Sequence, residues 1–335
     1  MTDPAPAPPA PGAAAPTLFR FSIEGRRAPG LFVGGWVATI LGLALAVAAI
    51  LTGGGGAPAI VLLIGLALLS VGFVLLGGSQ TIERRAANEA YAGPSPILLL
   101  AATVTTTLVA AVIVGLPLEL LGVRVDTPVG DLVSVGLQAL VFVGVVRLMI
   151  VAPGALSWSE MGFSADRRRI VEGLVTGALW AAPVIVLTGL AAYVAVGLIG
   201  QVPPSPLPPT GTSSGLALHL VAGAGIAPFA EETLFRGAVL TAWLRTVGPR
   251  AAIGRTAVLF ALAHAIGIGG TQFGPAAGLA LVATVVRLPV AIALGWLYVR
   301  SRSIWTPIGL HMAFNGILIA VSELAITTPA GTLHL

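Results

Sequence analysis

The chain has 335 residues, of which 56% are hydrophobic and only 9% charged, and its mean hydropathy is +0.99, which excludes an ordinary water-soluble domain and defines a polytopic membrane protein. All 17 basic residues are Arg and the net charge is +4, but the arginines stand singly or in twos and threes between apolar runs without aromatic interleaving, so no nucleic-acid partner is implied. Cysteine is absent, which excludes disulfides, thiolate nucleophiles and Cys-bound metals and leaves catalysis to Glu, His, Asn, Ser or Asp.

Residues 1–30 open with "MTDPAPAPPAPGAAAPTLF", a Pro/Ala-rich stretch that cannot form a packed core and is expected to be a disordered cytoplasmic tail. Apolar runs follow at 31–52, 57–77, 97–117, 131–152, 170–199, 215–243, 252–268, 276–299 and 304–326. Most are near the ~20 residues that cross a bilayer. The fold class is therefore all-α, a transmembrane bundle of about eight to nine helices. Residues 31–152 are expected to be accessory helices and 170–326 a separate core. The first run is too long for a signal-peptide core and reads as an uncleaved anchor.

Short cytoplasmic loops retain positive charge, which orients the helices. With the N-terminus cytoplasmic, Arg20, Arg26, Arg27, Arg84, Arg85, Arg167, Arg168, Arg169, Arg245, Arg250, Arg255, Arg300 and Arg302 share the inner side, and only Arg124 falls outside. The loop "QVPPSPLPPTGTSSG" on the exported side has no charge. An Arg-only, Ala/Gly/Pro-rich chain suits a bacterial plasma membrane.

Along this topology, polar groups meet at one depth. Glu231 lies ~21 Å along its helix from Arg245, His264 ~13 Å from Arg255, and His311 and Asn315 ~12 and ~18 Å from Ser303. In "APFAEETLFRGAVL", Glu232 and Arg236 are four apart and can pair, while Glu231 is turned about 100° away and stays free. By the same spacing Phe260 lies beside His264 and His311 beside Asn315. Pro228 removes a backbone donor and disturbs the carbonyl of Ala224, loosening the helix beside the carboxylates.

Three motifs in order, "EETLFR", "FALAH" and "HMAFN", resemble the CPBP family of intramembrane proteases, which includes type II CAAX prenyl endopeptidases and bacteriocin-processing or self-immunity proteins. The resemblance spans roughly residues 170 to 320, with "LSWSEMGFSADRRR" as a similar lead-in, and leaves out the first four helices. It implies that Glu231 and His264 activate a water, that His311 and Asn315 stabilise the oxyanion, and that Glu232, Arg236 and Phe260 support them. It implies a peptide or protein substrate reaching the site from the cytoplasmic side. Zn2+ held by Glu231, His264 and His311 is one form of such a site, metal-free glutamate catalysis the other.

The same cluster would also serve a proton-coupled transporter or a partner-binding immunity protein, since intramembrane carboxylates and imidazoles line ion paths or join helices. Arg287 reads as a snorkelling side chain, with binding of a substrate carboxylate or a counter-charge for Glu231 as alternatives. His219 lies more than three turns from Glu231 and is not expected in the site. Glu119, Asp126 and Asp131 read as solvated charges, and His334 has no role. The many Gly and Ala residues, as in "GAGIA" and "GLALVA", are expected to let helices pack closely.

Overall fold

The computed structural model describes residues 22–327 except 54–55, 123, 125, 267 and 269–272. Most of the expected tail and His334 lie outside the described residues; within them, 22–28 are turn and extended backbone and the first helix begins at Pro29.

The described residues form helices and no strands. We number the helices α1 (Pro29–Thr52), α2 (Gly56–Ala86), α3 (Pro96–Leu120), α4 (Pro128–Val151), α5 (Arg167–Ile199), α6 (Ser213–Leu244), α7 (Pro249–Ala263), α8 (Phe273–Ser301) and α9 (Trp305–Thr327). Eight of these are long and apolar enough to cross a membrane; α7, with 15 residues, is not. The run expected to span as a helix over 252–268 instead ends at Ala263, so His264 caps α7 rather than sitting within it.

The helix starts follow from local chemistry. Proline stands in the first turn of α1, α3, α4 and α7, where its missing N–H costs no hydrogen bond. Ser95, Thr127 and Thr212 accept hydrogen bonds from the amides of Leu98, Gly130 and Gly215 and so cap α3, α4 and α6. α5 breaks at Trp180, because the ring of Pro183 conflicts with the carbonyl of Leu179 and supplies no amide to it.

Up-down alternation gathers the basic loops at one end of the bundle, and these loops are tied together. Arg26 pairs with Glu83 at 2.8 Å, Arg84 donates to Gly93 O at 2.7 Å, Arg85 donates to Pro153 O, and Arg245 pairs with Glu160 at 2.7 Å. The Arg245 guanidinium, with the amide and hydroxyl of Ser157, holds the Glu160 carboxyl down to about 2. The main core lies towards this end, where Met149, Leu156, Met161, Leu234, Phe235, Leu240 and Ile304 are buried together.

The glycine expectation holds where helices touch backbone to backbone. A Cβ on Gly42 of α1 would stand 2.7 Å from Gly65 O of α2, and one on Gly177 of α5 would stand 2.6 Å from Leu310 N of α9. In "GAGIA", a Cβ on Gly223 would instead meet side chains, Leu207 and Ile319 at 2.6 and 2.9 Å.

Candidate active site

Helix α6 carries the paired glutamates on a backbone that is α-helical for only part of its length. Its stretches Leu220–Ile226 and Thr233–Leu240 are π-helical, and the α-helical turn Ala227–Glu232 lies between them. Pro228 accounts for one side: it cannot donate to Ala224 O, and the amide of Ala227 reaches back five residues to Ala222 O. On the other side, the Thr241 hydroxyl donates to Arg236 O at 3.1 Å and is 2.6 Å from the Tyr298 hydroxyl, anchoring the second π-helical stretch to α8. The sequence suggested the first irregularity through Pro228 but had no signal for the second.

The division between the two carboxylates follows the expectation. Glu232 and Arg236 are both completely buried and joined at 2.9 Å, and Arg236 also donates to Ala291 O of α8 at 3.1 Å and lies 4.6 Å from the centre of the Phe260 ring. A buried charge pair persists only when further hydrogen bonds support it. Here His311 of α9 supplies one, with Nδ1 2.8 Å from Glu232 Oε1.

Glu231 points elsewhere. Its Oε2 is buried without a hydrogen-bond partner, 3.6 Å from His264 Nε2 and 3.9 Å from His311 Nε2, both beyond hydrogen-bond length. The imidazoles are held from behind. His264 Nδ1 lies 2.8 Å from Phe260 O, which can only accept, so Nδ1 carries the proton and Nε2 faces Glu231. The Phe260 ring lies against His264 at a 43° tilt with centroids 4.5 Å apart and meets His311 edge-on at 5.8 Å, so this phenylalanine contacts both histidines and covers Arg236. Asn315 donates from Nδ2 to Gly223 O at 2.8 Å, binding α9 to the first π-helical stretch, and keeps a second amide hydrogen.

The donor types suit zinc: two Nε2 atoms and a carboxylate oxygen, each imidazole bound through Nδ1 to a carbonyl or carboxylate. Their spacing does not. Ligands of a zinc tetrahedron stand ~3.3 Å apart, the separations here are 3.6 and 3.9 Å, and no group of three or more His, Asp or Glu among the described residues is placed to hold a metal ion.

Glu231, His264, His311 and Asn315 share a chamber of about 900 Å³. From the site it extends towards the end opposite the basic loops, reaching Asp131 at the start of α4 and the 202–207 segment before α6. Helices α3 and α4, outside the motifs, form part of its wall, and α4 presents Asp131, Ser134 and Gln138 to it. Their spacing of three and four places them on one helical face, a sequence signal that apolar-run reading passed over. Asp131 is thus not simply a solvated charge: it lines the chamber and meets His219 Nε2 at 3.0 Å. His219 is buried beside it, away from Glu231 as expected. Asp126 pairs with Arg124 at the surface, and Glu119 is exposed.

A polytopic helical fold with a buried Glu/His/Asn cluster opening into a chamber brings together the groups to which the CPBP resemblance gives catalytic roles. Residues 213–317 match the family model described as Type II CAAX prenyl endopeptidase Rce1-like, about a third of the chain and the part holding every motif residue from Glu231 to Asn315. The match bears out the CPBP resemblance over these residues. No curated protein and no solved structure matches the chain.

Proposed function

We propose that the protein is an intramembrane endopeptidase that hydrolyses a peptide bond of a membrane-associated or lipidated substrate with a water activated by Glu231 and His264. The observation that supports this most directly is the buried, unpartnered Glu231 Oε2 facing two imidazole Nε2 atoms at 3.6 and 3.9 Å. A water between Glu231 Oε2 and His264 Nε2 has an acceptor for each hydrogen. Glu231 takes one proton as the water oxygen bonds to the scissile carbonyl carbon. The second Asn315 amide hydrogen is a donor for the oxyanion, with His311 Nε2 beside it at the Glu231 carboxylate, in a site shielded from bulk water. Collapse breaks the C–N bond, and Glu231 passes its proton to the leaving nitrogen.

The chamber supports access from the end opposite the basic loops, in place of the cytoplasmic-side approach that the resemblance implies. If the arginine-rich end is cytoplasmic, as the charge bias argues, the substrate descends from the exported half of the membrane.

Zinc at Glu231, His264 and His311, the other form that the resemblance allows, is disfavoured by their spacing although the Nδ1 bonds leave both Nε2 atoms free. Metal content of the purified protein, and activity after chelation, separate the two.

Peptide termini in membranes from cells expressing wild type or Glu231→Gln at matched levels test the main proposal. Termini present only with the wild type are expected, and their sequences identify the substrate. Identical terminal profiles in the native host, with both proteins folded and abundant, would leave transport or partner binding as the use of this cluster.

A further inference from the structure

We infer that Arg287 of α8 is an anion subsite of the chamber that holds a carboxylate of the substrate about three to four residues from the bond cut. Arg287 lines the same chamber as Glu231, His264 and His311. Among the described residues its one hydrogen bond is from Nη1 to Ala283 O of its own helix at 2.9 Å, and no carboxylate lies within ion-pair distance of it. Arg236, the other guanidinium in this part of the bundle, has the opposite environment: fully buried, paired with Glu232 and bonded to α8.

Snorkelling does not explain Arg287. It lies fourteen residues from each end of α8 (287 minus 273, and 301 minus 287), or ~21 Å, further than its side chain reaches. A cation bonded only to a helix carbonyl, with Glu231 across the chamber beyond ion-pair distance, is better satisfied when an anion joins it directly. The planar guanidinium matches a carboxylate in two-point geometry, which Lys does not.

The level of the subsite follows from the helix. Arg236 fixes the depth of the catalytic cluster on α8 through Ala291 O. The Arg287 guanidinium is bonded to Ala283 O, eight residues or ~12 Å further towards the 202–207 segment, about the length of three to four residues of extended chain. A peptide whose carbonyl lies at Glu231 and whose chain runs up the chamber would therefore bring a nearby carboxylate to Arg287. That carboxylate is either the chain terminus or an acidic side chain.

This inference takes its substrate direction from the peptidase reading, but its test needs no turnover. Purified Glu231→Gln protein in detergent is titrated with an acetylated apolar hexapeptide as the free acid, as the C-terminal amide, and as the amide carrying one Glu two residues before its end. The free acid, the Glu amide or both should bind at least about tenfold more tightly than the plain amide. Preference for the free acid alone assigns a terminal carboxylate, and matching affinity of the Glu amide assigns an acidic side chain. The preference should vanish in Glu231→Gln/Arg287→Gln and survive in part in Glu231→Gln/Arg287→Lys. Equal binding of all three peptides, no binding of any, or a preference that survives Arg287→Gln overturns the inference. Carboxylate selectivity in a protein that generates no new termini would leave this subsite standing and remove the peptidase reading.

Discussion

Replacing Arg236 with Met keeps most of the side-chain volume and removes the charge from the most enclosed part of the site. The change deletes the 2.9 Å bond to Glu232 Oε1, the 3.1 Å bond to Ala291 O and the guanidinium beside the Phe260 ring. It leaves a completely buried carboxylate with His311 Nδ1 as its only partner, since Glu232 Oε2 already has none. Breaking a buried pair from one side costs about 3–5 kcal/mol, against about 0.2–1 kcal/mol for an exposed pair. Both side chains are inaccessible, so the larger range applies. Unfolding in mixed micelles by titration with a denaturing detergent measures the loss. A double variant, Arg236→Met with Glu232→Gln, removes both charges and should recover to within about 2 kcal/mol of wild type, with a coupling energy of the same order. Arg236→Met costing less than about 1 kcal/mol, or a double variant no more stable than the single one, would refute the buried brace.

Glu231→Gln should abolish hydrolysis while leaving unfolding midpoints at or slightly above wild type, because the oxygen it replaces has no hydrogen bond to lose. Gly177→Ala should destabilise by about 1–3 kcal/mol in the same assay, since its Cβ would press into Thr306 O and stand 2.6 Å from Leu310 N; Gly189→Ala, with nothing within 4 Å, should be neutral or stabilising. Glu160 is held at about 2 by Arg245, below its free value of 4.5, so its contribution is fully present above pH 4.5 and is lost as pH falls towards 2. The pair is largely exposed, so Glu160→Gln should cost less than about 1 kcal/mol at pH 7, and the gap from wild type should close over that acid range.

Much of this protein was legible in the sequence because a bilayer leaves few choices. Every backbone polar group in hydrocarbon must be bonded within its own segment, so apolar runs of the right length become helices, and prolines and Ser or Thr caps mark their starts. The four-residue spacing of Glu232 and Arg236 fixed their pairing within one helix, and the common depth of Glu231, His264, His311 and Asn315 followed from helix rise alone. Contacts across helices were beyond those rules. That His311 turns Nδ1 to Glu232 and Nε2 to Glu231, that Phe260 contacts both imidazoles, and that α6 is π-helical on both sides of its glutamates depend on how α6, α7, α8 and α9 rotate against one another. Periodicity gives each helix a face but not the face it meets. The chamber likewise exists only between helices: α4 contributes Asp131, Ser134 and Gln138 to it from outside the motifs, and Arg287 changes from a snorkelling residue into a lining one. Sequence determined which groups lie at the depth of the chemistry, while tertiary packing decided which atoms face one another, because lateral helix packing in a membrane is set by shape and hydrogen bonding rather than by hydrophobic pattern.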